Sequence, residues 1–171
     1  MSLPPPTADI CDAYPHAGVA DLPFRDYGAR TRFSGEVQTV RCFEDNSMVA
    51  AALQTPGEGR VLVVDGGGSM RCALVGDQMG ALAVENGWIG IVIEGCVRDV
   101  TTLRTLPLGV KALGSNPLRS KKRGEGQIGT MVWIGRMNVQ SGWWLYADED
   151  GVITLPEPVR IDYNAANPGL P

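Results

Sequence analysis

Three side chains in the middle of the chain, Asp77 and the adjacent pair Arg98-Asp99, are of the types that hold a metal ion and a small acid. Carboxylate oxygens are hard ligands, appropriate to Mg²⁺ or Mn²⁺ ions that keep several waters. Arginine can grip a carboxylate through two parallel hydrogen bonds, which lysine cannot reproduce. An anion clamp beside two metal-binding carboxylates predicts a substrate that carries a carboxylate and also chelates the metal. A 2-keto acid has both properties.

A helix start at Asp77 adds a second anion-binding feature. Gly76-Asp77 is predicted to open a helix that closes at Asn86-Gly87. The first backbone N–H groups of a helix lack partners within it, and the helix dipole favours an anion there. The groups available to a carboxylate or phosphate would be those of Gly76, Asp77, Gln78 and Met79.

Three apolar runs predict the strands that position these residues. They cover residues 61–64, 89–93 and 110–113, and runs of this kind are typical of strands buried on both faces. The helix of residues 76–87 separates the first two runs, and a helix capped by Asp99 and stopped at Pro107 separates the second from the third. This β-α-β-α-β order predicts an α/β fold with a parallel sheet and right-handed crossovers.

Shorter elements are predicted on both sides of this core. A helix over residues 7–14 capped by Thr7, a strand over 35–43 and a helix over 47–53 capped by Asp45-Asn46 precede it. Strands over 130–134, 137–139, 143–147 and 152–155 follow it, with a hairpin turn at 148–151. The sequence has neither a repeat nor a linker. Residues 1–171 are therefore predicted to form one domain, with a frayed tail over 164–171.

The predicted topology brings three polar turns to one edge of the sheet. Parallel α/β sheets bind ligands beyond the carboxyl ends of their strands. Residues 65–68 leave the first core strand at that edge, residues 94–99 leave the second, and Gly76-Asp77 begins the helix between them. We expect the three turns to meet there.

The same residues also admit a purely structural interpretation. Asp77 and Asp99 could serve only as helix caps, and Arg98 could be a surface charge or pair with one of them. Residues 65–69, Asp-Gly-Gly-Gly-Ser, lack the spacing of a dinucleotide loop and the lysine of a P-loop. Turn formation is their predicted role.

Composition excludes several classes of protein. The net charge is −4 and the pI is near 5.0, which argues against nucleic acid as a direct partner. The basic cluster at residues 119–123, Arg-Ser-Lys-Lys-Arg, is interpreted as a solvated loop in preference to an anion or RNA patch. A single histidine and four widely spaced cysteines make no usual zinc ligand set. Because neither a membrane span nor a signal peptide is evident, a cytoplasmic protein is expected.

Several segments match a known family, namely residues 43–46, 61–69, 73–77, 86–99 and 146–151. They resemble the family of the regulator of ribonuclease E activity A (the RraA-like family), and the resemblance extends roughly from Thr7 to Ile153. The family includes the class II 4-hydroxy-4-methyl-2-oxoglutarate aldolases, and older records call its members menaquinone methyltransferases. In the aldolases an Asp, twenty intervening residues and then Arg-Asp mark the site. Asp77 and Arg98-Asp99 reproduce that spacing.

The resemblance implies a role for each of these residues. Asp99 would ligate a divalent cation, Mg²⁺ or Mn²⁺, directly or through water. Arg98 and the backbone amides of residues 76–79 would hold the pyruvoyl carboxylate, and Asp77 would orient or deprotonate a water on the metal. The implied fold is the three-layer β/β/α "swivelling" domain. It would assemble as a ring-shaped homotrimer with sites between subunits, and trimers could pair into hexamers.

The implied activity is that of a metal-dependent lyase. It would cleave 4-hydroxy-4-methyl-2-oxoglutarate or 4-carboxy-4-hydroxy-2-oxoadipate to pyruvate and a second keto acid, with oxaloacetate decarboxylation as a side activity. The alternative is a non-enzymatic inhibitor that binds ribonuclease E or its RNA helicase partners. Members that only bind the ribonuclease tend to lose the metal-binding Asp, so Asp99 favours an enzyme.

Thr102 is a departure from the aldolase pattern. The aldolases usually carry an acidic residue three positions after the metal-binding Asp, and this chain has Thr102 there. Metal affinity or geometry could differ as a result, although a neighbouring subunit could contribute a carboxylate.

Overall fold

The computed structural model describes residues 3–160. The helices are α1 (Thr7–Ala13), α2 (Ser47–Leu53), α3 (Asp77–Glu85) and α4 (Val100–Leu103). The strands are β1 (Gly18–Val19), β2 (Arg25–Asp26), β3 (Phe33–Arg41), β4 (Val61–Asp65), β5 (Ala73–Val75), β6 (Gly90–Val97), β7 (Gly109–Ser115), β8 (Gln127–Ile128), β9 (Val132–Ile134), β10 (Met137–Val139), β11 (Trp144–Ala147) and β12 (Val152–Leu155). The predicted tail over 164–171 lies outside the described residues.

The predicted parallel core is confirmed. Strands β3, β4, β6 and β7 lie side by side in that order, and each neighbouring pair is parallel. The run in β4 is buried on both faces because its side chains alternate between two clusters. Leu62 and Val64 pack in the cluster that contains the helices, whereas Val61 and Val63 pack in a second one.

Two layers cover the faces of this parallel sheet. On one face the cluster includes Val49 of α2, Ala83 of α3 and Leu103 of α4. On the other face the second cluster includes side chains of β9 to β12, among them Ile134 and Leu145. The nine-residue β3 joins the parallel strands to the antiparallel ones, because its first half pairs with β11 and its second half with β4. A layer of helices, the parallel sheet and the flanking strands thus form a mixed α/β fold.

Several predicted boundaries are wrong. Residues 94–97, predicted as a turn, continue β6 beyond an irregularity between Ile93 and Cys96. Strand β5 was not predicted, since three residues are too few to show a period. Thr7 lies inside α1 and does not cap it, and α4 ends at Leu103, before Pro107. Asn46 stands at the start of α2 without a side-chain cap, although Asp45 accepts the N–H of Ser47 at 2.8 Å.

The flanking hairpins agree more closely with the predictions made from the sequence. Strands β10 and β12 have the predicted bounds, and β11 and β12 pair antiparallel around the predicted turn at 148–151. No helix within residues 3–160 is long and apolar enough to cross a membrane.

Asp148, in that hairpin turn, ties the N-terminal helix to the sheet. Its side chain is 2% exposed and accepts hydrogen bonds from the backbone N–H and the hydroxyl of Thr7, each at 2.7 Å. The N–H of Asp150 donates to it at 3.0 Å. Burial alone would raise the pKa of Asp148, but these hydrogen bonds hold its pKa below the ordinary value.

We expect Asp148→Asn to lower the free energy of unfolding by about 2–3 kcal/mol at pH 7, because an amide nitrogen would face at least one buried donor. A lowered native pKa contributes stability above the unfolded value of about 3.9, and that contribution is lost as pH falls through the native pKa. Urea unfolding should therefore show that the difference in the free energy of unfolding between the native protein and the variant becomes smaller below about pH 4. The control is Asp150→Asn at an exposed neighbour. A difference in unfolding free energy that does not change with pH would contradict the lowered pKa of Asp148.

Candidate functional site

A small cavity lies at the carboxyl edge of the parallel strands, where β5 ends and α3 begins. Its volume is about 210 Å³. Six site residues were predicted from the sequence, and five of them line this cavity: Gly76, Asp77, Gln78, Met79 and Arg98. The sixth, Asp99, borders the cavity through its contacts with Asp77 and Arg98.

The start of α3 directs backbone donors toward two carboxylates of the protein. Gly76 precedes the helix in an extended conformation and makes no side-chain cap. The N–H of Asp77 faces Oδ2 of Asp99 at 3.3 Å, and the N–H of Gln78 donates to Oδ1 of Asp77 at 2.7 Å. The first of these bonds is slightly longer than usual.

Arg98 and Asp99 follow β6 and bring opposite charges to the same place. Nε of Arg98 lies 3.5 Å from Oδ2 of Asp99. The backbone of Asp99 is left-handed, with φ 55° and ψ 40°. The Arg98 N–H is fixed by the carbonyl of Val75 at 2.9 Å. Both side chains stay open to solvent, with exposed fractions of 39% and 38%.

The conformation of Asp99 is itself informative. A non-glycine residue in the left-handed region costs on the order of 1 kcal/mol, although aspartate tolerates it better than most. Such outliers gather at functional sites, where the surrounding structure holds them in place.

The side chains of Asp99 and Arg98 approach Gly76 closely. A Cβ atom at position 76 would lie 2.6 Å from Oδ2 of Asp99 and 3.2 Å from Cγ of Arg98. Any larger residue would therefore displace the two charged groups.

Neither aspartate acts as a helix cap through its side chain, so that part of the structural interpretation is wrong. Asp99 stands at the N-cap position of α4, but its side chain makes no capping bond. Asp77 is the first residue of α3, and among the described residues its side chain accepts only the N–H of its neighbour Gln78. The predicted contact between Arg98 and an aspartate is present, since Arg98 pairs with Asp99.

The available donors fit a hard cation that keeps most of its waters. Asp77 and Asp99 supply carboxylate oxygens at the open rim of the cavity. Within residues 3–160 no three His, Cys, Asp or Glu side chains come together as a metal-binding group. Mg²⁺ is commonly bound by one or two carboxylates together with waters, whereas structural zinc sites need four protein ligands. Asp99 and Asp77 could thus hold Mg²⁺ or Mn²⁺ in a largely hydrated form.

The third predicted turn, residues 65–68, does not reach this cavity. Gly67 and Asp65 line a separate depression together with Phe43. The N–H of Gly68 donates to the carbonyl of Glu94 at 3.1 Å. Gly67 and Gly68 both have positive φ, 66° and 71°, as a tight turn requires.

Three polar residues of the cavity were missed from the sequence: Asn46, Arg119 and Lys122. Arg119 and Lys122 belong to the basic cluster interpreted as a solvated loop. Both residues are exposed as predicted, but they also form part of the cavity wall. The sequence feature that could have indicated them is the density of cations within five residues. Their position at the cavity depends on a contact with β5, which is distant in the sequence.

Comparison with known proteins assigns the chain to one family. The chain matches the RraA-like family, described as Aldolase/RraA, over residues 7–154. A relative from Alkalilimnicola ehrlichii, named "Putative 4-hydroxy-4-methyl-2-oxoglutarate aldolase", is 56% identical over 149 residues. That alignment covers 86% of this chain and 92% of the relative.

Two solved structures share the fold closely. The RNA-processing inhibitor RraA from Thermus thermophilis is 42% identical with a TM-score of 0.90, and the match covers 94% of this chain and 98% of that one. A structure from Geobacillus kaustophilus, described as an S-adenosylmethionine: 2-dimethylmenaquinone methyltransferase, is 42% identical with a TM-score of 0.89. Here the match covers 91% of this chain and 97% of the other. Close relatives therefore carry three different functional names.

Proposed function

Because this chain belongs to the RraA-like family, we propose that it is a divalent-metal-dependent aldolase. Its substrate would be 4-hydroxy-4-methyl-2-oxoglutarate or 4-carboxy-4-hydroxy-2-oxoadipate, cleaved to pyruvate and a second keto acid. The observation that supports this most is the meeting of Asp77, Arg98 and Asp99 at the mouth of one cavity. The name of the 56% identical relative supports the same activity.

Binding of the substrate would depend on Arg98 and the start of α3. The Arg98 guanidinium can grip the carboxylate on C1 through paired hydrogen bonds. The Asp77 amide adds a donor on the side where the helix dipole is positive. The two groups together would fix the carboxylate and so orient the C3–C4 bond in the cavity.

Asp77 would handle the proton. Its Oδ1 is held by the N–H of Gln78, and no hydrogen bond from residues 3–160 occupies its Oδ2. We assign Oδ2 to accept the proton of the C4 hydroxyl, directly or through a water, as that hydroxyl becomes a carbonyl. The electron pair of the breaking C3–C4 bond passes to the pyruvate fragment, and the same proton can then be returned to C3.

Asp99, with Asp77 beside it, would hold the cation. Bound Mg²⁺ or Mn²⁺ would polarise the 2-keto oxygen as a Lewis acid and so stabilise the charge released at C3. Loss of CO₂ from oxaloacetate releases an electron pair at the same carbon, so oxaloacetate decarboxylation is expected as a side activity.

The central test is pyruvate release measured with lactate dehydrogenase and NADH. We expect turnover of 4-hydroxy-4-methyl-2-oxoglutarate with added Mg²⁺ or Mn²⁺, and a loss of at least about 10³-fold in excess EDTA. A reaction without protein corrects for spontaneous cleavage by the metal. Cleavage that persists in EDTA, or none with either metal, would contradict the proposal.

A ring-shaped homotrimer is part of the same proposal. Large apolar side chains are exposed, among them Met70 at 50% and Leu118, the neighbour of the cavity residue Arg119, at 62%. Exposed apolar groups of this kind favour a protein interface. A neighbouring subunit seated there could bring the carboxylate that Thr102 does not supply. Trimers could also pair into hexamers.

The second candidate function is inhibition of ribonuclease E by direct binding of the nuclease or of its helicase partners. The Thermus structure, described as an RNA-processing inhibitor and 42% identical, favours it. A nuclease assay with the Asp99→Ala variant separates the two functions. Undiminished inhibition by that variant, without pyruvate release by the native protein, would favour the inhibitor.

A further inference from the structure

Another cavity lies at the amino edge of the parallel sheet, opposite the edge that carries the candidate site. It is lined by Phe33 at the start of β3, by Ile89 just before β6, and by Arg30, which forms a bridge with Gly109 at the start of β7. The volume of this amino-edge cavity is about 360 Å³, within the range of small-molecule sites. The proposed reaction makes no use of it.

Two arginines line the amino-edge cavity, and within residues 3–160 no acid does. They are Arg30 and Arg32, and neither makes a salt bridge with any residue that the structure describes. Glu149 senses the charge of Arg32, but the pKa of Glu149 is lowered chiefly by a hydrogen bond from the Thr31 hydroxyl and less by that charge. Glu149 also does not line the cavity. The positive charge of the wall therefore favours an anionic ligand.

Arg30 is fixed in place by the backbone that follows α4. Its Nε donates to the carbonyl of Pro107 at 2.9 Å, and its backbone N–H donates to the carbonyl of Leu108 at 3.3 Å. The four N–H groups on the two terminal nitrogens of its guanidinium have no acceptor within the described part of the chain. A guanidinium that is already held in this way can bind a carboxylate with a small loss of entropy.

The rest of the wall is apolar or aromatic. Its side chains are those of Leu3, Pro4, Pro5, Ile89, Trp144, Tyr146, Pro158 and Val159. The indole N–H of Trp144 has no acceptor in residues 3–160, whereas that of the buried Trp88 donates to the carbonyl of Thr55 at 3.1 Å. Trp144 thus offers one more donor beside a largely apolar surface. Donors and apolar groups in one cavity favour a ligand that is both anionic and apolar.

Two short segments that form part of this wall are ordered by bonds within the protein. Pro6, which follows the lining prolines, has φ −57° and ψ 142°, close to the polyproline II conformation. The next residue, Thr7, is held by Asp148. On the other side, the Tyr146 hydroxyl accepts the N–H of Val159 at 2.8 Å. The wall is therefore formed before a ligand arrives, which lowers the entropic cost of binding.

We propose that the amino-edge cavity binds a monocarboxylate that carries an apolar chain. The carboxylate is bound by Arg30 and Arg32, since its two oxygens can accept hydrogen bonds from both. The chain lies against Ile89 and Trp144. A dicarboxylate binds poorly here because its second charge would lie against apolar groups. The ligand is therefore a different compound from the keto acid of the proposed reaction, and the inference does not depend on that reaction.

Binding of octanoate and octan-1-ol tests this site, because the two probes have the same chain length and differ in charge. Titration calorimetry with the full chain should show that octanoate binds about 10- to 100-fold more tightly, as expected for charge-assisted hydrogen bonds. Arg32→Met should weaken octanoate by about 10-fold or more and leave octan-1-ol unchanged. Arg25→Met is the matched control, because Arg25 is exposed and does not line the cavity.

Arg98→Ala shows which cavity holds the carboxylate. This variant should bind octanoate as tightly as the native protein, because Arg98 lies at the other edge of the sheet. Weaker binding of octanoate by Arg98→Ala, with Arg32→Met unaffected, would place the carboxylate in the candidate site and overturn the proposal. Equal binding of the two probes by the native protein would also overturn it. Failure of octanoate to bind would do the same and leave the amino-edge cavity to a polypeptide.

Discussion

Replacing Asp99 with alanine is expected to abolish pyruvate release, with a fall in kcat/KM of at least about 10³-fold. The carboxylate of Asp99 is the acidic group that contacts both Arg98 and the Asp77 amide, at 3.5 and 3.3 Å. Its removal takes away the oxygen assigned to the cation and leaves the Arg98 charge without its partner. Steady-state assays with Mg²⁺ or Mn²⁺ at saturating concentration measure the loss.

The backbone of Asp99 requires a second variant for this test. At φ 55° alanine is less well tolerated than aspartate, so Asp99→Ala could act through the fold. Asparagine accepts the left-handed region readily and removes only the charge. Asp99→Asn should therefore lose activity as severely while its urea midpoint stays close to that of the native protein. Thr101→Ala, at an exposed position on α4, is the control. Full activity of Asp99→Asn would place the chemistry elsewhere.

Replacing Arg98 with alanine is expected to raise KM and also to lower kcat, with a combined loss in kcat/KM of about 10²–10³-fold. In the proposed mechanism the guanidinium would hold the substrate carboxylate in both the ground and transition states, so its loss should raise KM. It would also orient the C3–C4 bond, so its loss should lower kcat. The backbone bond from the Arg98 N–H to Val75 does not depend on the side chain, so the end of β6 should remain in place.

Arg98→Lys separates charge from geometry. Lysine keeps the positive charge but cannot form the paired hydrogen bonds, so most of the loss should persist. Arg104→Ala, an exposed arginine next to α4, is the matched control and should behave like the native protein. If Arg98→Ala keeps kcat/KM within about twofold of the native value, the carboxylate is bound by another group.

The parallel core could be predicted because short stretches of the sequence indicate each of its strands and helices. The apolar run of β4 and the helix start at Asp77 are each visible within a few residues, and their order along the chain dictates a parallel sheet. The same reasoning placed Gly76, Asp77 and Arg98 at one edge. The spacing of Asp77 and Arg98-Asp99 then identified them as a pattern of the RraA-like family.

Other features depend on contacts that no local pattern reports. The left-handed turn at Asp99, whose carboxylate accepts the N–H of Asp77 in α3, lies just beyond the end of β6, where β6 pairs with the unpredicted strand β5. Arg119 reaches the cavity only because residues 118–120 pair with Ala73, more than forty positions earlier. Charge density alone describes that loop equally well as solvated surface, and the solvated interpretation was incomplete for this reason.

A crystal structure of the protein with Mn²⁺ and pyruvate would test the central claim most directly. Anomalous scattering locates the cation without reference to the protein chemistry, and pyruvate marks the keto-acid position. We predict a manganese peak beside the carboxylate of Asp99, with the pyruvate carboxylate against Arg98 in the cavity between α3 and the end of β6. A manganese peak away from Asp99, or pyruvate bound outside this cavity, would contradict the account.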